Sequence, residues 1–231
     1  MHNGKETEKA DLASPPARRS RSLFFQALLF SAIIAFGCLT FFVKTTPSFP
    51  IDLQITRAIQ SIDSPFFAGF MQLISWPGFL PQSLLITLLI AFILYMYSLR
   101  WEACTAVLAM LLSGATNELV KTVVGRPRPT IDVVNVFEVL TSYSFPSGHV
   151  MLYTILFGYI CYLMYTLLKR SILRSLLLGI FGIFILFVGP SRIYLGQHWA
   201  SDVLGAYLLG GVLLAGMILV YQWGKTRFFI Y

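Results

Sequence analysis

Long apolar runs separated by short polar stretches set the layout of this 231-residue chain. The first run, Leu23 to Val43, is long enough to cross a bilayer as a helix. Arg18, Arg19 and Arg21 precede it, as in a signal peptide. The run is longer than an h-region, however, and lacks a small-x-small site before Lys44, which predicts an uncleaved span. Further runs predict spans at about Gln82–Leu99, Ala103–Val124, His149–Leu168, Ile172–Val188 and Trp199–Gln222. Between the first two spans, Ile51, Ile55, Ile59 and Ile62 recur at helical spacing, with Asp52 and Arg57 on other faces. This fits a short helix on the membrane surface or a plain connector. Pro65 to Trp76 is apolar but too short to cross and is broken by Pro77, Gly78 and Pro81, so it reads as interfacial. The fold class is therefore all-α: an integral membrane bundle of six transmembrane helices, with short interfacial helices between spans 1 and 2 and between spans 3 and 4. Residues 1–22, polar and basic, read as a disordered cytoplasmic tail, and 23–231 as the membrane domain.

Composition agrees. The chain is 57% hydrophobic and 12% charged, where soluble domains carry about 25% charged residues. The net charge of +7 comes from basic residues scattered between apolar runs rather than gathered in a patch, which argues against nucleic acid. Eleven of the 17 Lys and Arg residues fall on the side of the termini, which predicts cytoplasmic termini in a plasma (inner) membrane protein. Cys38, Cys104 and Cys161 lie in separate apolar runs and read as packed thiols, with neither disulfide nor metal site. In the sixth span, the small-residue pairs Ser201/Gly205 and Gly211/Ala215 predict a close helix neighbour.

The candidate chemistry sits in three stretches that an even number of crossings brings to one membrane face. After span three come Lys121, Arg126 and Arg128; before span four comes Pro146-Ser147-Gly148-His149; between spans five and six come Arg192, His198 and Asp202. Lys121, Arg128 and Arg192 together call for an anion. With both residues on one helix, Asp202 would lie one turn from His198, fixing its tautomer and leaving Nε2 as base or nucleophile; Arg192 is expected on the preceding loop. His149 could divide the labour with His198. Ser147-Gly148 opens a helix whose N–H groups suit phosphate oxygens. Each piece has an ordinary structural reading: a snorkelling lysine, a solvated basic loop, an N-cap serine, a buried Arg192–Asp202 ion pair. Arg126 is read either as an attractor of anionic headgroups or as solvated, and Glu118 as a structural partner of Lys121 or Arg192. The apolar residues between Ile131 and Leu140 are expected to dip into the outer leaflet.

The spacing K-x6-R-P, P-S-G-H and S-R-x5-H-x3-D, matched at Lys121 and Arg128-Pro129, at Pro146 to His149, and at Ser191, Arg192, His198 and Asp202, resembles the signature of the type 2 phosphatidic acid phosphatase family. The resemblance implies a phosphatase without metal or other cofactor, working through a phosphohistidine. It makes His198 the nucleophile, Asp202 its orienter and His149 the acid. Lys121, Arg128, Ser147, Gly148 and Arg192 would hold the phosphoryl oxygens. The expected partners are the bilayer and a lipid phosphate in the outer leaflet: undecaprenyl diphosphate, phosphatidylglycerophosphate or phosphatidate. A phosphotransferase of the same family and a non-enzymatic carrier of anionic lipids remain as alternatives.

Overall fold

A computed structural model describes residues 15–46 and 48–228. The described residues are helical and contain no strand. The helices are α1 (Pro15–Thr45), α2 (Pro50–Gln60), α3 (Pro65–Ser75), α4 (Leu80–Met96), α5 (Arg100–Val124), α6 (Gly148–Leu167), α7 (Ile172–Tyr194) and α8 (Ala200–Phe228). Proline marks several starts. Pro50 and Pro65 occupy the first turns of α2 and α3, where a missing N–H costs nothing, and Ser64 caps α3 by accepting the Phe67 N–H. Gly125, at φ +68°, ends α5 in the left-handed conformation glycine tolerates, and Pro127 prevents the helix from resuming.

Five helices (α1, α5, α6, α7 and α8) are long and apolar enough to cross a membrane. Among the described residues, α3 and α4, bent by 64° across a short 3₁₀ turn, Trp76–Gly78, are together long and apolar enough for one broken span, which gives up to six crossings. The chain is an integral membrane protein. Its outer surface carries Phe24, Leu85, Phe92, Leu176 and Leu186, as a lipid-facing surface does when every backbone polar group is satisfied within helices. The centre belongs to α6. Val150, Met151, Tyr153, Ile155, Leu156 and Tyr159 are buried against Ala106 and Ala109 of α5, Val188 of α7 and Ala206 of α8. Residues 153–157 form a π-helical turn inside this helix. α1 is peripheral and rests mainly on α8.

Several expectations are corrected. The tail assigned to 1–22 is helical from Pro15, because α1 extends before the apolar run; residues 1–14 lie outside the described residues. No helix forms between spans 3 and 4. Residues 125–147 are irregular, with a turn near 131–133, because their hydrogen bonds go to side chains and other elements. The short helix expected between spans 1 and 2 is α2, but its core-facing side also carries polar groups: Asp52 and Thr56 are buried, Ile55 and Ile59 pack against the core, and Ile51 is exposed. Cys38 and Cys104 face outward instead of packing inside. In α8 a Cβ on Gly224 would lie 2.2 Å from Trp101 of α5 and one on Gly210 3.0 Å from Thr154 of α6, whereas one on Gly211 would meet nothing within 4 Å. A Cβ on Gly205 would lie 2.5 Å from the ring of Phe145, in the irregular connection, and 3.6 Å from Leu39 of α1.

Candidate active site

One end of the bundle collects the start of α4, the end of α5, the start of α6, the end of α7 and the start of α8. A cavity of about 230 Å³ opens there. Lys121, Arg128, Gly148, His149, Arg192 and His198 line it, with Gly78, Phe79 and Ser142 completing its wall. Residues from all three stretches, from Lys121 to His198, thus meet at one cavity. Asp202 lies behind His198, fully buried.

Two details differ from expectation. Arg192 is not on a loop but in the last turn of α7, which continues past Pro190 to Tyr194. The guanidinium is therefore held by a rigid element. One Nη donates to Ser75 Oγ at 2.5 Å, and the plane stacks over Phe79 at 5.7 Å. His198 and Asp202 do not share a helical face either. α8 starts at Ala200, so His198 precedes the helix and Asp202 reaches back from its first turn. There Asp202 Oδ2 accepts the Trp199 N–H at 2.9 Å and the Ser144 hydroxyl, the reciprocal half of a capping box.

Oδ2 of Asp202 also lies 3.5 Å from His198 Nδ1, longer than a formed hydrogen bond but within the range that tightens when a substrate binds. His198 Nε2 lies 3.3 Å from an Nη of Arg128. Arginine only donates, so Nε2 must be the lone-pair nitrogen and the ring proton sits on Nδ1, facing Asp202. Burial holds the imidazole pKa well below its ordinary value of 6.5, and the positive charges of Arg128, Arg192 and Lys121 add to the effect. His198 is therefore neutral at neutral pH, with Nε2 available. Arg128 is fixed by the Gln197 carbonyl at 2.5 Å and by Ser142, through its carbonyl at 2.7 Å and its hydroxyl at 2.9 Å.

His149 is oriented by shape. Its ring stands edge-on to Phe79 at 4.9 Å, and a Cβ on Gly78 would lie 2.2 Å from its Cδ2, so only glycine admits the ring there. Asn117 supports the same turn by donating to the Pro146 carbonyl at 3.0 Å. The Ser147 N–H reaches the Asp202 carbonyl at 3.3 Å, joining two of the three stretches through their backbones. Ser147 Oγ, His149 Nε2 and Arg192 Nε are buried without a hydrogen-bond partner. Uncommitted polar atoms beside three cations form a receptor for an oxyanion.

Sequence reasoning missed Asn117, Ser75, Ser142, Ser144, Gly78 and Phe79, which hold the site from outside the three stretches and carry no local signal. It also misjudged Arg126, which is 1% exposed and bound to Asp52 and Asp202 rather than solvated or facing a headgroup. Glu118 is exposed and forms no ion pair within 4 Å among the described residues.

Comparison with known proteins follows the same lines. Residues 102–227 match the PAP2 superfamily. The chain is 30% identical over 163 residues to phosphatidylglycerophosphatase B of Bacillus subtilis (strain 168), covering 70% of this chain and 79% of that one. It superimposes on the crystal structure of the transmembrane PAP2-type phosphatidylglycerolphosphate phosphatase from Bacillus subtilis with a TM-score of 0.76 and 27% identity, over 87% of this chain and 98% of the other. Aquifex aeolicus LpxE shares the fold at a TM-score of 0.61 and 21% identity, over 74% and 97% of the two chains. The family match covers more than half of the sequence and the fold agrees over most of it: this chain belongs to the PAP2 superfamily and is a phosphoric ester hydrolase of membrane lipids.

Proposed function

We propose that the chain removes phosphate from a lipid phosphomonoester or diphosphate through a phosphohistidine formed at His198. The observation that carries this reading is the neutral His198, its Nε2 lone pair directed into a cavity shared with Lys121, Arg128, Arg192 and His149. In the first step Nε2 attacks phosphorus and the P–O bond to the lipid breaks. His149 gives its proton to the leaving oxygen. The imidazolium that forms at His198 is stabilised by Asp202 across Nδ1–H. In the second step His149 takes a proton from water, the water oxygen bonds to phosphorus, the P–N bond breaks and phosphate leaves. Lys121, Arg128 and Arg192, with the Ser147 hydroxyl and the Gly148 N–H, neutralise the equatorial oxygens, which is most of what phosphoryl transfer asks of a protein.

The substrate is a lipid whose phosphate lies at the membrane surface. The cavity opens at helix ends, with Leu140 in its lining, and the exposed Val139 next to Leu140 in the chain suits the outer part of a leaflet. The bias of Lys and Arg toward the other end supports a plasma (inner) membrane orientation with cytoplasmic termini and an extracytoplasmic site. Phosphatidylglycerophosphate is the first candidate, from the name of the Bacillus subtilis relative, ahead of phosphatidate and undecaprenyl diphosphate. Phosphate release from a panel of these lipids in detergent, with EDTA present, tests the reading. Turnover of at least one lipid without added metal is expected; turnover only on addition of a divalent cation contradicts it. Release into water with no acceptor lipid present separates a hydrolase from an obligate phosphotransferase.

A further inference from the structure

We infer that Asp52 and Arg126 are positioning residues for this reaction, acting on His198 through Asp202; the inference rests on the phosphohistidine reading. Arg126 lies two residues before Arg128 yet does not reach the cavity. Its guanidinium is buried, packed beside the rings of Phe49 at 5.5 Å and Trp199 at 5.9 Å. One Nη donates to Asp202 Oδ1 at 2.5 Å and to Ser201 Oγ at 2.7 Å. The other donates to Asp52 Oδ2 at 2.8 Å. Asp52 in turn accepts the Ser201 N–H at 2.8 Å on Oδ1 and the Ser201 hydroxyl at 2.7 Å on Oδ2. Its carboxylate thus bridges Arg126 and the first turn of α8.

The consequence concerns the two oxygens of Asp202. Arg126 occupies Oδ1, so Oδ2 is the one turned toward His198 Nδ1. A carboxylate held on one side by a charged guanidinium cannot rotate without breaking a charge-assisted bond. It is therefore ready to stabilise the imidazolium as that charge appears. Asp52 does for Arg126 what Arg126 does for Asp202. The unit of two carboxylates and one guanidinium carries a net negative charge, matched to the positive charge His198 gains in the step. Asp52 comes from α2, a helix outside the family-matched residues 102–227, so the orientation of the site depends on a segment with none of the three signature stretches.

The test is rapid-quench phosphoryl transfer in the full-length protein, with ³²P-labelled phosphatidylglycerophosphate in detergent micelles and an alkaline quench that preserves phosphohistidine. Amplitude counts competent sites, and the rate constant reports chemistry per site. For Arg126→Gln and Asp52→Asn the amplitude per folded protein is expected to stay near that of the wild type, while the rate constant falls by about 100-fold and about 10-fold respectively, with KM changed little. The double variant should be no slower than Arg126→Gln alone, because the two residues act through one contact. Arg126→Lys should recover part of the rate, and it keeps the test open if Arg126→Gln does not fold. Loss of amplitude at an unchanged rate constant would mean that the pair only holds the fold, and unchanged amplitude and rate would remove both residues from the reaction. Absence of phosphoenzyme in the wild type would instead overturn the histidine mechanism itself.

Discussion

The two ends of the bundle are built on opposite principles. At the site end, helices stop in irregular backbone, and buried polar atoms of Ser147, His149 and Arg192 stand without partners. At the other end, short connections at residues 97–99 and 168–171 join the helices. The principal charged contact there is an ion pair: Lys225 Nζ meets Glu102 Oε1 at 2.6 Å, and the Tyr221 hydroxyl donates to the same oxygen at 3.0 Å, while Glu102 Oε2 and Arg174 Nε are buried without a hydrogen-bond partner. The cavities differ in the same way. The one at the site end is lined by three cations and two imidazoles, while the one at the other end, about 500 Å³, is lined mainly by residues such as Ile90, Leu94, Leu163 and Leu177. Charge near a membrane is costly unless it is used or paired. One end sets its buried acid against a lysine and a tyrosine; the other gathers three cations around a cavity.

That contrast can be broken by substitution. The largest effect is expected for His198→Ala, which removes the proposed nucleophile. Turnover should fall by at least ~1,000-fold with the helical fold intact, as read by phosphate release and circular dichroism. Arg192→Lys should follow at about 100-fold, because a point charge cannot reproduce a guanidinium held by Ser75 and Phe79 while its Nε stays available. Gly78→Ala should cost about 10-fold in kcat through displacement of the His149 ring. At the opposite end, Lys225→Met should leave kcat unchanged and lower stability by about 1 kcal/mol in a thermal or detergent titration. The loss stays below that of a fully buried pair because Lys225 is 37% exposed. A Lys225 variant that loses catalysis at intact stability would abolish the distinction between the ends.

The pH response sharpens the same distinction. The folded-state pKa of His198 is depressed, so the folded protein binds fewer protons than the unfolded chain below about 6.5. His198 therefore subtracts stability as pH falls through 6.5, and its ring stays neutral to a lower pH than a free histidine. An NMR titration of labelled histidine, assigned with a His198 variant, should give a midpoint below 6.5. A midpoint at or above that value would mean that the surrounding cations do not act on this ring.

The spans and the three motif stretches were legible because a bilayer demands long apolar runs and because charges beside it are few. Helix ends were harder. The fifth span is predicted to end at about Val188 with Arg192 on the following loop, yet α7 continues through Pro190: Ser191 Oγ donates back to the Val188 carbonyl, and Arg192 in the last turn lines the cavity. The placement of His198 ahead of α8 was hidden because Trp199, not a polar residue, occupies the cap position. Arg126 was misread because its partners lie 74 and 76 positions away, at Asp52 and Asp202, and no local pattern reports such a pairing. The isoleucine spacing identified the helix α2, two of whose isoleucines, Ile55 and Ile59, pack on the core, but the burial of Asp52 beside them was not legible, because ion pairing with Arg126 drives it rather than hydropathy.

The most direct test of the central claim is mass-spectrometric localisation of the phosphoryl group in protein quenched at alkaline pH during turnover in EDTA. The account predicts one acid-labile phosphoryl group on His198, absent from His198→Ala. Turnover with no label on His198, or with label on another residue, would contradict it.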